Sequence, residues 1–469
     1  MDKFSFTGDL IFKEGPPIHD CEVSGTIAAN GSVNGVVVIT RGQILGPQLL
    51  HSSSFDIQGT AENTVKVAIS AAHGSNLKIE NSGCSFSFRA RSVQEIPYAT
   101  TPSHPVRVLY ELTNLEFMGL EITERRDSQH VSLRRDRLRF LCGDCSCELQ
   151  QIEDYDAVIE QLRTGGGSGV TYTLAVESLS GQVLEDTKTD PFADAVCELL
   201  SLASKNSVRW VRRTSFAATR VEIQSTTRSV GKLSSFQSGW SLIPDWVATE
   251  DRSARHELSY FLGSVTALYV QNVREQGLGL AIAWMLDSEH QSTIDMKFVA
   301  AFIAIERLRT KFLDRAALPA SIVSDWNERI DAGLGSRILS VVKETCGALN
   351  EQQMRLIISR IRSANTPPAA LELEALCRQL KVVGFDKEMT ELRNKLVHTG
   401  GYGDFQFPDA IELYRKLSHI VDVCILRLLE FDGFYNHWAT DWKPKSLKAH
   451  TDSGPTSVVD PSFGRSLGQ

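Results

Sequence analysis

The apolar residues of this chain change their spacing once, near Ser253, and that change calls for two unlike kinds of domain. Before it, short apolar runs recur between turn signals. The runs include Val36-Val37-Val38-Ile39, Val65-Lys66-Val67-Ala68-Ile69 and Val106-Arg107-Val108-Leu109, with Asn30-Gly31, Asn34-Gly35 and Ser82-Gly83 read as turns. Strands at this spacing predict a sandwich or barrel-like sheet, so residues 1–150 are expected to form a β-rich domain. Residues 151–250 read as a mixed α/β extension or connector. Within it, Pro191–Ser204 has helical spacing in Ala195, Val196, Leu199, Leu200 and Leu202, and strand-like runs follow at 208–211 and 219–223. Beyond Ser253, helical spacing covers 254–274, 279–288, 293–315, 320–346, 351–364, 368–381, 387–398 and 408–431. The expected fold is therefore α+β and multidomain: β-rich first, then an all-α bundle over 251–442 with an appended helix pair or two. The polar tail, 443–469, is read as disordered.

Composition excludes several function classes. No run reaches the roughly 18 uncharged apolar residues of a membrane span, and the longest candidate, 298–305, stops at Glu306 and Arg307. The start, Met1-Asp2-Lys3-Phe4, shows no basic region leading into an apolar core, so no secretory leader is expected. Nine cysteines form no even framework, which suits a reducing, cytoplasmic setting. A net charge of −8 argues against a general nucleic-acid coat. A local site is still allowed, because 295–395 carries sixteen Lys/Arg against thirteen Asp/Glu.

Two tempting motifs fail on chemistry. Cys142-Gly143-Asp144-Cys145-Ser146-Cys147 offers half of a zinc site, with no second ligand pair at suitable spacing. Gly165-Gly166-Gly167-Ser168-Gly169 leads into the strand-like Val170–Leu174, whereas a phosphate loop leaves a strand and opens a helix. No metal and no cofactor are expected.

The segment from Asp386 to Gly400 carries the functional argument. Asp386 is placed to cap a helix and Gly400 to end it. Met389, Leu392, Leu396 and Val397 are read as its apolar stripe, and Arg393 falls inside that stripe. A guanidinium in such a position needs a partner, an interface or a lined cleft. His398 sits in the last turn, where the negative end of the helix favours the imidazolium. An arginine that holds a phosphate and a histidine that moves a proton suffice for attack by an RNA 2′-hydroxyl on its neighbouring phosphate. The substrate then supplies the nucleophile, so no metal is needed to make one. One Arg and one His form a thin site, which two copies of the chain would complete. Spacing alone is unselective, since Arg125 to His130 repeats it inside the β region.

The run Leu392-Arg393-Asn394-Lys395-Leu396-Val397-His398-Thr399-Gly400 resembles the Arg-x(4–6)-His motif of HEPN domains, particularly the ApeA-like group. In that family a polar residue commonly follows the arginine, and Asn394 matches. The resemblance extends loosely over 280–435, where Phe298–Leu308 is similar to the family's long helix bearing an acidic residue, here Glu306. It implies an all-α bundle, dimerisation that joins two motifs, and metal-independent cleavage of RNA, often in anti-phage defence or as a toxin. For the β-rich part it implies recognition of a phage component. Other members of the family have lost catalysis and serve as interaction or nucleotide-binding domains. Arg393 and His398 are thus the expected catalytic pair, Asn394 a supporting hydrogen-bonding group, and Glu306 a partner that orients Arg393. Arg307, Arg309 and Lys311, with Arg355, Arg360 and Arg362, are read either as a basic approach for RNA or as solvated helix faces.

Overall fold

The first core is built by strands that bury alternate residues. The computed structural model describes residues 2–12, 17–28, 30–39, 54–61, 65–80, 83–97, 104–126, 131–230, 235–237, 241–248, 254–314, 326–363, 368–437 and 444–447. Six strands come first: β1 (Asp2–Phe12), β2 (Ile18–Ile27), β3 (Val33–Ile39), β4 (Phe55–Ala61), β5 (Val65–Glu80) and β6 (Gly83–Ala90). They pair antiparallel in the order β4-β1-β2-β3-β6-β5, and β5 returns to β4, so the sheet closes into a barrel. Phe6, Leu10, Val23, Val37, Ile57, Ile69 and Phe86 fill its interior. Closure depends on the length of β5, which pairs with β4 through its first half and with β6 through its second. The strand bends at Ala71 (φ 52°), whose N–H donates to Asp56 Oδ1 at 2.8 Å.

Asn34-Gly35, read from sequence as a turn, lies inside β3. Gly35 stands opposite Gly25 on one side and Phe88 on the other. A Cβ on Gly35 would come 2.6 Å from the Phe88 ring, and one on Gly25 would come 2.4 Å from the Phe4 ring. These glycines make room for aromatic rings across the sheet, a role that local turn statistics cannot reveal.

The sheet continues past the barrel through β7 (Ser92–Pro97). Its further strands are β8 (Arg107–Thr113), β9 (Glu121–Arg126), β10 (Val131–Cys142), β11 (Cys145–Gln151), β12 (Val170–Ser178), β13 (Trp210–Phe216) and β14 (Glu222–Arg228), in the order β7-β14-β13-β8-β12-β11-β10-β9. No boundary falls at residue 150, because β12 pairs between β8 and β11. Residues 151–228 complete this sheet, the extension among the two alternatives read from sequence. Helix α1 (Tyr155–Gly165) and helix α2 (Asp186–Ser204) belong with it, and α2 buries the five apolar residues expected of it. The last strands start later than their apolar runs suggest, since Arg220 (φ 63°) and Ala217 form a tight turn with Arg220 N–H on Ala217 O at 2.8 Å.

The compact units also divide differently from the sequence boundaries. The first holds residues up to Arg274 together with Phe431–Leu447, and the second holds Glu275–Glu430. Helix α3 (Glu257–Leu268), expected to open the helical domain, belongs to the β-rich unit. Its first residue explains why. Glu257 is fully buried, pairs with Arg255 through two 2.8 Å bonds and accepts the Phe434 N–H at 2.6 Å. A buried carboxylate is tolerated only with such partners, and here they tie the returning chain to α3. Phe431 packs edge-on to Phe261 at 5.1 Å, and Phe434–Asn436 pairs with Pro444–Ser446, which the sequence assigned to the tail. The remainder of that expected tail, 448–469, lies outside the described residues.

In this unit the main chain of Met118 is clamped from both sides. Its N–H donates to Asp245 Oδ2 at 2.9 Å, and its carbonyl lies 2.6 Å from His256 Nε2. Burial, with Glu116 nearby, raises the Asp245 carboxyl to about 6, while the Met118 N–H opposes the rise. An acid whose pKa is raised on folding favours the folded state fully below its unfolded value, near 3.8, and loses that contribution as pH climbs through about 6. Asp245→Asn keeps the acceptor without the charge. It is expected to gain up to about 3 kcal/mol over the parent at pH 7 and nothing at pH 4, read from urea unfolding at both pH values.

The helical unit comprises α4 (Gly279–His290), α5 (Ile294–Phe312), α6 (Trp326–Arg329), α7 (Gly335–Cys346), α8 (Glu351–Ser363), α9 (Ala369–Gln379), α10 (Lys387–Thr399) and α11 (Phe407–Leu428). Helix α5 is central and packs against α4, α9, α10 and α11, burying Phe298, Ala301, Phe302, Ile305 and Leu308. Helices α7 and α8 form a hairpin. No described helix is long and apolar enough to cross a membrane.

Candidate functional site

Helix α10 begins and ends where its capping residues require. Asp386 Oδ1 accepts the Glu388 N–H at 3.0 Å, and Gly400 adopts the left-handed conformation (φ 68°) with its N–H on Leu396 O at 3.1 Å. Met389, Leu392 and Leu396 are buried, and they hold the helix against α5 and α11. Val397, counted in the stripe from sequence, is 50% exposed. It lies about 100° around the helix from Leu396, beyond the packed line.

Arg393 is half-buried on the edge of that line. Its Nη2 lies 3.7 Å from Glu306 Oε2 on α5, and its guanidinium carbon sits 5.8 Å from the centre of the Phe302 ring. The interhelical pairing expected of Glu306 is therefore present. At that distance it is an ion pair and not the two-bond fork of a tight Arg–carboxylate contact, so part of the guanidinium still faces solvent. Nη1 donates to Asn394 Oδ1 at 3.2 Å, which brings the third expected residue to the same group. Phe302 was not singled out from sequence. It precedes Glu306 by four residues on one helix face, and that spacing is the signal that would have found it.

His398 stands apart from this cluster. It is exposed, and among the described residues no hydrogen bond or ion pair holds its ring. Five residues separate it from Arg393, which on a helix means about 140° around the axis and about 7.5 Å along it. The two side chains leave one helix in different directions, so a single copy does not aim both at one phosphate. The turn after His398 is pinned in place. Thr399 Oγ1 donates to Lys395 O at 2.7 Å, Lys395 pairs with Asp404 at 3.5 Å, and the Tyr402 hydroxyl bonds to Asp295 at the start of α5.

The remaining sequence candidates do not join this cluster. Arg309 pairs with Glu372, Arg355 with Glu351 and Arg362 with Asp331, so these arginines serve ion pairs between or along helices. Cys142 and Cys145 face each other across the β10–β11 turn as thiols, pushed above the usual thiol pKa chiefly by burial. Among the described residues no group of three or more His, Cys, Asp or Glu side chains is placed to hold a metal ion. The glycine run connects the end of α1 to β12, with Gly166 and Gly167 at φ 66° and 94°. It thus joins helix to strand, the reverse of a phosphate loop. Of the decoy pair, Arg125 lies in β9 and His130 lies outside the described residues. No family model, no curated protein and no solved structure matches the chain.

Proposed function

We propose that this chain is a metal-independent endoribonuclease of the HEPN type, the effector of an anti-phage defence whose β-rich unit senses infection. The observation that carries the reading is a half-buried arginine, Arg393, braced by Glu306 and Phe302, on the same helix as the solvent-facing His398. A guanidinium so held is already oriented when a phosphate arrives, which lowers the cost of binding it. In the proposed reaction an RNA 2′-oxygen attacks the adjacent phosphorus, its proton leaves to a base, and the 5′-oxygen departs with a proton from an acid. A 2′,3′-cyclic phosphate and a 5′-hydroxyl end result. His398 serves these proton transfers, and Arg393 balances charge on the phosphoryl oxygens. The 140° divergence of the two side chains favours a site assembled from two copies, with Arg393 and His398 contributed across a dimer.

A catalytically silent interaction module is the second reading, favoured by the engagement of Arg393 with Glu306, which by itself would join two helices. A nucleotide sensor would need Arg393 but not His398. The deciding experiment is RNA cleavage in excess chelator by the parent chain and by His398→Ala. Cleavage by the parent alone supports the proposal. Equal cleavage by both moves the chemistry elsewhere, and cleavage that disappears with chelator removes the metal-independent mechanism.

A further inference from the structure

Helices α7 and α8 are amphipathic, yet they cover almost nothing. Among their described residues only Gly335 is buried, while Val341 and Leu356 are each 60% exposed. Helices of 12 and 13 residues draw little stability from their backbone and depend on an apolar face being covered. The two helices touch each other, with Gly335 against Ile358, and the hairpin is anchored where Trp326 Nε1 donates to Ile361 O at 2.8 Å. Contact within the hairpin leaves Met354 and Ile358 only partly covered, at the floor of a groove of about 540 Å³ along α8.

The charges on that groove are ordered along the helix. Glu351 stands at its N-terminal end, Arg362 at its C-terminal end, and Arg355 and Ser359 lie between. Such a helix is complementary to itself when reversed. If two α8 helices cross antiparallel, with a two-fold axis midway between Arg355 and Ile358, each Glu351 meets the Arg362 of the other copy. Met354 and Ile358 of both then lie near the axis. The helix dipoles oppose each other in the same arrangement, and the two hairpins together make a four-helix bundle. The pairs now made by these charges, Glu351 with Arg355 and Arg362 with Asp331, are well exposed, so exchanging them costs little.

We infer that the α7–α8 hairpin is a self-association surface, and that a second copy of this chain covers the α8 groove through reciprocal Glu351–Arg362 pairs. This goes beyond the proposed catalysis and does not depend on it. The test is the mass of the full chain by light scattering or sedimentation over a concentration series. Glu351→Arg and Arg362→Glu should each weaken the association by about tenfold or more, because like charges then oppose each other. The double exchange, Glu351→Arg with Arg362→Glu, should restore it to near the parent value. Mass and concentration dependence unchanged in both single variants would overturn the inference. So would single variants that weaken association without rescue by the double exchange, or a parent that shows no association step.

Discussion

Arg393→Ala is expected to lower RNA cleavage by about 10²–10³-fold, the usual cost of losing one group that stabilises charge in a transition state. Its thermal stability should stay close to that of the parent. The argument rests on exposure: the Arg393 and Glu306 side chains keep 30% and 29% of their surface in water, and pairs so exposed contribute only about 0–1 kcal/mol. Glu306 would be left hydrated and not stranded. A lysine at position 393 should restore little, since its point charge cannot copy the planar donors that reach Glu306, Asn394 and a phosphate together. If Arg393 and His398 act in one step, adding His398→Ala to Arg393→Ala should cost much less than the product of the single losses. The measurement is initial cleavage rate on one RNA, with a melting curve for each variant. A variant that melts far below the parent would identify Arg393 as a structural ion-pair partner. Full activity in a well-folded Arg393→Ala chain would remove it from the mechanism.

The largest expected effect on stability lies in the β-rich unit, at Arg213 on β13. Its side chain is 3% exposed and ties α2 to the sheet: Nη2 bonds Asp186 at 2.7 Å and Nη1 bonds Asp190 at 3.3 Å, while the Tyr110 hydroxyl donates to Asp190 at 2.9 Å. Burial raises the Asp190 carboxyl above its ordinary value even with Arg213 opposing the rise, so the arginine is what keeps that charge tolerable. Arg213→Ala is expected to cost about 3–5 kcal/mol at pH 7, because it leaves a partly buried carboxylate without its cation. The loss should shrink as pH falls, since protonated Asp190 no longer needs the partner. Pairing Arg213→Met with Asp190→Asn should recover most of it, as apolar replacement of a buried pair is often close to neutral. Hydrogen exchange of the β8 and β13 amides reports this sheet and not the helical unit. Unchanged exchange in Arg213→Ala would show that the ion pair does not hold α2 in place.

Residues with purely local causes were legible in the sequence. Most helices lie close to where apolar spacing put them, although Gly333 (φ 121°) interrupts the range expected over 320–346 and Ala254–His256 is a strand. Helix α10 starts at Asp386 and stops at Gly400 because capping depends only on neighbouring backbone groups. The odd position of Arg393 was also visible, because the face of a residue follows from helical periodicity alone. Which strand follows which was not visible. The barrel closes because residues 6–12 find residues 55–61, and β12 slides between β8 and β11, choices made by burial among segments far apart in the chain. The same holds for the returning segment Phe431–Leu447, which joins the β-rich unit where the buried Glu257 accepts the Phe434 N–H. It holds also for the meeting of Arg393 on α10 with Phe302 on α5. The sequence by itself determined the local elements and the identity of the charged groups. Only the tertiary structure decided which of those groups meet, because the cost of burying polar groups and apolar surface is settled by contacts that no single segment contains.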